Sequence, residues 1–284
     1  MATSSTVARW ELAHRIKVRR QELGIGVEQI AKHLGFTRNF FSAVENERSM
    51  LATEKLEVLM VMLEFDNLER EELRALDAAA RNRGWWETKE VLDLVRESGS
   101  RLFGLEQGAS RIRGFDAHTI SGLFQTSDFT RAMFSVHPEN SPAAINRLVE
   151  IRRRRQADLR SRGVPITVIV GEAALHQRWA DNELHLAQLE HLLELVDTHP
   201  YEVRVLTFAS PPGVLVGAST LEFLDFDSAH LPTVALQEAI RDLDILEDGD
   251  PFFEQLRLAW EDGMNRALSP EASCSFIRDV IAAG

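Results

Sequence analysis

Residues 27–45 narrow what this chain can fold into more than any other stretch: two short apolar-striped segments meet at a single glycine. VEQIAKHL places Val27, Ile30, Ala31 and Leu34 on one helical face, and RNFFSAVEN places Phe41 and Val44 an i, i+3 step apart. Gly35 between them is a turn residue able to take positive φ. Thr37 is a side-chain cap for the second helix. Two short helices joined through a tight glycine-containing turn form the helix-turn-helix pattern.

The flanking sequence supplies a bundle around that pair. Residues 7–23 carry Trp10, Ala13, Ile16 and Leu23 at near-helical spacing, and Gly24 and Gly26 stop that helix. Residues 53–63 carry Leu56, Leu59, Met60 and Leu63, and residues 69–82 carry Leu73, Leu76 and Ala80 before Gly84. Five helices therefore form an all-α module over 1–84. After Trp85-Trp86 the pattern changes. Helical stretches are expected near 91–98, 103–113, 126–134 and 142–162. ITVIV at 166–170 is a β-branched run of the buried-strand kind, and EVRVLTF at 202–208 alternates. The helix expected between them, 172–197, makes a right-handed parallel crossover. Residues 219–226 and 233–238 form a hairpin, 242–246 a short further strand, and 251–268 and 270–282 two closing helices. The expected fold class is mainly α with α/β. A five-helix domain over 1–84 precedes a domain over 85–284 of helices around a small mixed sheet.

Charge divides along the same line. The chain carries −12 at pH 7, yet residues 1–50 hold eight Lys and Arg against five Glu, a net of +3 that leaves −15 for the rest. A basic head on an acidic body suits a small domain that meets an anion. The apolar share, 44%, excludes a wholly disordered chain. One cysteine, Cys274, excludes a disulfide scaffold. There is no apolar run of membrane length and no leader-like start, so a cytoplasmic location is expected.

Seven stretches carry a family resemblance: RNRGWW at 81–86, FGLEQGASRIRGF at 103–115, ISGLFQTSDFTRAMF at 120–134, RRRRQ at 152–156, GEAALHQRW at 171–179, AQLEHLLEL at 187–195 and ALSPEAS at 267–273. With residues 9–50, which resemble Xre/Cro-like regulators, the chain is similar to an actinobacterial branch of antitoxin-like regulators with a large C-terminal domain of unknown function. The resemblance implies a DNA-binding transcriptional regulator, with a small protein partner as the alternative emphasis. The chain departs from that pattern at Gly26-Val27, where Thr-Gln is frequent. It departs also at Glu45-Asn46-Glu47, where glycine often follows the glutamate, and at Ser121, where a Pro-Gly turn is usual.

A recognition helix presents its N-terminal residues to base edges. Here those are Arg38 and Asn39, with Ser42 and Ala43 one turn on. Arg forks onto guanine and Asn onto adenine. Phe41 is expected inward and Phe40 outward, toward a thymine methyl. Thr37 leaves helix-terminal N–H groups for a phosphate, and Arg48, Lys32 and Arg19 are phosphate candidates. The DNA target is expected to be a double-stranded inverted repeat, bound by a homodimer. Arg152 to Arg155 sweep round a helix, so an internal ion-pairing role is expected of them. Gln125, Glu172 and Glu238 follow apolar runs and are candidates for an effector pocket. The acidic run from Asp242 to Asp250 fails calcium-loop spacing at Leu246. His185 and His191, six apart, fail zinc spacing, and no base accompanies Cys274. Neither enzyme activity, metal nor cofactor is expected.

Overall fold

The computed structural model describes residues 4–284 except 180, 212, 239–242 and 248–249, and the side chains of 216, 217, 238 and 243 also lie outside the description. The chain divides into two compact units. The first is Met1–Leu92, Ser100–Gly108 and Ser228–Leu231, and the second is Asp93–Gly99, Ala109–Asp227 and Pro232–Gly284.

The first unit is helical: α1 (Ser5–Glu22), α2 (Val27–Leu34), α3 (Arg38–Glu45), α4 (Thr53–Met62) and α5 (Asn67–Ala80), then a 3₁₀ turn at Trp85–Glu87. Side chains fix the helix starts. The Ser4 and Thr37 hydroxyls accept from the N–H groups of Val7 and Phe40. Asp66 and Glu69 cap α5 reciprocally, each side chain accepting the other's backbone N–H at 2.8 Å. Ile16, Ile30, Leu34, Phe41, Leu59 and Leu73 form the centre of one core. The unit also takes in Trp86 and the last two turns of α6 (Lys89–Gly108), a helix interrupted at Arg96 by φ +59. Gly104 lies so close to Thr6 that a Cβ there would meet its Oγ1 at 1.9 Å.

The second unit is a six-stranded sheet flanked by helices. The strands are β1 (Arg111–Asp116), β2 (Ile166–Gly171), β3 (Tyr201–Leu206), β4 (Thr220–Asp225), β5 (Val234–Glu238) and β6 (Leu243–Glu247), in the order β3-β2-β1-β4-β5-β6. The β1–β2 and β2–β3 pairs are parallel, while β1–β4, β4–β5 and β5–β6 are antiparallel. The helices are α7 (Ser127–Ser135), α8 (Pro142–Arg162), α9 (Glu172–His176), α10 (Asn182–Thr198), α11 (Pro251–Arg266) and α12 (Pro270–Ala283). The mixed sheet, the parallel crossover and the hairpin match expectation. Two elements do not. Residues 111–113, expected to end a helix, open the central strand β1. The helix expected over 172–197 breaks, because Asp181 starts a new helix by accepting from the Leu184 N–H at 2.9 Å. Residue 242, expected to open β6, lies outside the described residues. Among the described residues no helix is long and apolar enough to cross a membrane.

His185 is the most deeply buried ionisable ring of this unit. Its Nε2 bonds the Leu175 carbonyl at 2.9 Å, and its Nδ1 is buried without a partner. Burial, helped by the nearby Arg178 and His176 charges, lowers its pKa against the raising effect of that bond. The neutral ring therefore belongs to the folded state. Its stabilising contribution is complete above the ordinary histidine value of about 6.5 and is lost as pH falls through the lowered folded value. Thermal unfolding of the second unit followed from pH 7.5 to 5 should show melting temperature dropping with pH. In a His185→Gln variant that slope should be shallower. An unchanged slope would assign the loss to other groups.

Candidate nucleic-acid interface

The turn between α2 and α3 has three residues. Gly35 takes φ +79 and its N–H reaches the Lys32 carbonyl at 3.2 Å, while the Phe36 N–H closes on Ala31 at 2.8 Å. Those two bonds satisfy the end of α2 in the manner of a Schellman cap. Nothing stands within 4 Å of the missing Gly35 Cβ, so backbone conformation alone requires glycine here. Lys55 of α4 adds a third support, donating to the Leu34 carbonyl at 2.7 Å while lying 5.7 Å from the Phe36 ring centroid.

On α3, Phe41 and Val44 point into the core, and Arg38 and Asn39 are exposed beyond the Thr37 cap. Ser42 and Ala43 are half-buried one turn later. The Ser42 carbonyl accepts from the Asn46 side chain at 2.6 Å. Phe40 departs from the outward position expected of it. It is half-buried against the core with its ring 4.5 Å from that of Phe36, because stacking there removes both faces from water.

The cations of the basic head sort into two sets. Arg9, Arg15, Arg19 and Arg20 are held by carboxylates of their own unit, chiefly Glu87, Glu72, Glu69 and Glu45. Arg19, expected as a phosphate contact, is one of these internally paired cations. It forks onto Glu69 at 2.8 and 3.0 Å and lies over the Phe65 ring at 5.1 Å, so its charge is spent inside the bundle. Lys17, Lys32, Arg38 and Arg48 are exposed. Three of these four lie on α2, on α3 or just after it.

The pair that sequence reading missed is Arg20–Glu45. Arg20 Nε and Nη2 donate to the two Glu45 oxygens at 2.6 and 3.1 Å, and Nη1 donates to the Ile25 carbonyl at 2.9 Å. Both side chains are almost wholly enclosed. One guanidinium thus ties α1, the α1–α2 turn and the last residue of α3 together, fixing the angle at which α3 is presented. Its members are 25 positions apart, and no local periodicity joins them. Gln29 was also overlooked. Its side chain accepts from the Gly26 N–H at 2.8 Å, so α2 caps itself where Gly26 has no side chain to do so. The Gly-x-x-Gln spacing is the readable sign of that bond. Glu47 takes φ +62 and pairs with Arg101 at 3.1 Å.

Of the three effector candidates, the two with described side chains, Gln125 and Glu172, do not converge. Gln125 is buried and fully engaged: its amide donates to the Ile120 carbonyl at 2.6 Å, and its oxygen accepts from Thr130 and Arg152. Glu172 instead accepts from the Phe208 N–H at 2.6 Å and lies outside the groove that Gln125 lines. Glu238 ends β5, and its side chain lies outside the described residues. The arginine run spreads round α8 as a helix requires. Arg152 stands 4.8 Å from the Phe134 ring centroid, Arg153 pairs with Glu150 at 3.0 Å, Arg154 is exposed and Arg155 buried.

No curated protein and no solved structure matches the chain. The family described as Helix-turn-helix domain matches residues 11–73, which span α2, the glycine turn and α3. The family described as Domain of unknown function (DUF5753) matches residues 100–279, close to two thirds of the chain and almost all of the second unit. The chain therefore carries an N-terminal helix-turn-helix domain and belongs to the DUF5753 family.

Proposed function

We propose that the protein is a sequence-specific DNA-binding transcriptional regulator of the Xre/Cro type, active in the cytoplasm. The observation that carries this reading is the exposed N-terminal turn of α3, where Arg38 and Asn39 stand clear of a rigid, core-anchored helix with Lys32 and Arg48 alongside. Arg38 and Asn39 read bases, Thr37, Lys32 and Arg48 hold the backbone, and Ser42 and Ala43 set how closely α3 enters the groove. The second unit serves sensing or dimerisation rather than catalysis. Burial pushes the Cys274 thiol up, away from the thiolate a nucleophile needs. A partner-binding antitoxin-like role is the second reading.

Paired titrations of an operator and a scrambled duplex at two salt concentrations test the assignment. Arg38→Ala should cost the operator about 1–3 kcal/mol, roughly tenfold or more, and leave the scrambled duplex far less affected. Arg48→Ala should weaken both and flatten the salt dependence. Unchanged operator preference in Arg38→Ala would move the reading surface elsewhere. A wild type with no preference among genomic fragments would favour the partner-binding role.

One recognition helix covers one half-site, so the protein should act as a homodimer on an inverted repeat with half-sites about one helical turn apart. The second unit exposes Phe208, Val214, Phe252 and Leu258, the apolar surface that association would cover. Light scattering at micromolar concentration should report a dimer. A monomer there would remove the symmetric-operator model.

A further inference from the structure

The two edges of the six-stranded sheet are finished differently. β3 forms one edge, and its outer side is occupied. There the Val205 N–H donates to the Ser273 hydroxyl, and the Val205 carbonyl accepts from the Leu268 N–H, both at 2.9 Å. Ser273 is fully buried, so the first turn of α12 and the residue before it seal that strand against a further one.

β6 forms the other edge. Its five residues pair with β5, from Val234 opposite Glu247 to Glu238 opposite Leu243. In an antiparallel pair, alternate residues turn their N–H and C=O groups away from the partner strand. Beyond that ladder, one bond reaches the β6 backbone among the described residues. It lies at the strand's end, where the Glu247 carbonyl accepts from the Asp250 N–H at 3.0 Å. The rest of the outer edge is a row of donors and acceptors that a further strand can extend.

The side chains select the kind of strand. Leu246 packs onto the core formed with Phe253 and Trp260 of α11. Asp244 shares that face by alternation, while Ile245 and Glu247 take the other. Asp244 is exposed and the other three are half-buried, so each keeps surface that a neighbour can cover. Neither carboxylate enters a hydrogen bond or ion pair among the described residues. Each face of the edge thus offers one acid and one aliphatic side chain. Opposite charges directly across a strand pair attract, and like charges repel. A second copy of β6 would bring further carboxylates alongside, so the edge discourages self-pairing and favours a cationic strand.

We propose that β6 is a docking edge for an extended, basic segment of a protein partner, which adds to the sheet as a further strand. The added strand sets Lys or Arg against Asp244 and Glu247, three positions apart and therefore on opposite faces, and two apolar residues against Ile245 and Leu246. Main-chain bonds supply the hold, and the two cations supply the selectivity. The site stands independently of the DNA-binding reading, since its evidence lies wholly in the second unit.

Fluorescence anisotropy of a short labelled peptide with a Lys-Val-Ile-Lys centre, titrated with the full chain, is the test. Saturable binding is expected, with hydrogen exchange slowed at amides within 243–247. The same peptide methylated on its backbone nitrogens keeps its charges but loses its donors, and it should not bind. This comparison uses the unaltered protein, so it does not depend on how a variant folds. Asp244→Lys/Glu247→Lys should weaken binding of the lysine peptide roughly tenfold and should accept a Glu-Val-Ile-Glu counterpart instead. Glu190→Lys, an exposed change on α10, should leave binding unchanged. Absence of saturable binding would overturn the proposal, as would equal binding of the methylated peptide or protection confined to another segment. Protection of β6 that rose with protein concentration alone would assign the edge to a second copy and overturn it too.

Discussion

Replacing Glu45 by alanine should cost the first unit about 3 kcal/mol, because breaking an enclosed ion pair leaves its partner charged and unsatisfied. The partner is Arg20, whose fork then faces vacant space while Nη1 keeps only the Ile25 carbonyl. A loss of that size lowers the melting temperature of a domain of this length by on the order of 10 °C. Glu45→Gln, which keeps one acceptor, should fall between the two. The discriminating variant is the double Arg20→Met/Glu45→Leu. Swapping a whole enclosed pair for apolar side chains is often close to neutral, so the double variant should recover most of the stability lost by Glu45→Ala. It should not recover operator affinity fully, since the three-way tie between α1, the turn and α3 is gone. Denaturant unfolding read beside operator titration separates the two effects. A Glu45→Ala protein as stable as the parent would show that this pair contributes no more than a surface ion pair does.

That pair also marks how far the sequence could be read. The helix-turn-helix was legible because it is local. An apolar stripe, a glycine at the turn and a threonine cap all fall within nineteen consecutive residues, 27–45. Burial of Phe41 and exposure of Arg38 and Asn39 follow from helical phase alone. The roles of Arg19 and Arg20 were not legible, because each is decided by a carboxylate on a distant helix, Glu69 and Glu45. The same division runs through the second unit. β2 and β3 announce themselves, one as an unbroken β-branched run and the other by alternation, with Tyr201, Val203 and Val205 buried. β1 does neither. Its fully buried residues are Ile112 and Phe115, three apart as on a helix, with Gly114 between them contributing no side chain. A strand flanked on both sides by other strands takes its definition from pairing, which a single sequence does not display. Gln125 was named as a pocket residue and does line a groove, but as a fixed wall, because only the fold shows that its amide is already occupied.

Pairing of β1 with β2 leads to the second large effect, at Gly171. Register along the two strands ends at Asp116 opposite Val170, and beyond it the two backbones converge. A Cβ on Gly171 would lie 2.5 Å from the Ala117 carbonyl oxygen and 3.1 Å from its Cα. Both are backbone atoms, and no rotamer change relieves the overlap. The Ala117 N–H is in turn bonded to the Ser219 carbonyl at 2.9 Å, so withdrawal of Ala117 would also strain the join to β4. Gly171→Ala should therefore destabilise the second unit by about 3 kcal/mol, at the upper end of overpacking costs, and Gly171→Val by more. Gly114, in the middle of β1, is the control. A Cβ there meets only the Leu221 carbonyl at 3.6 Å and Val168 at 3.8 Å, ordinary contact distances. Gly114→Ala should be neutral or gain about 0.5 kcal/mol, since glycine within a strand is the more costly residue to order. Urea unfolding of the two variants side by side reads the contrast. If Gly171→Ala matched Gly114→Ala, the backbones could not approach at residue 171 as described, and the position of β1 between β2 and β4 would have to be redrawn.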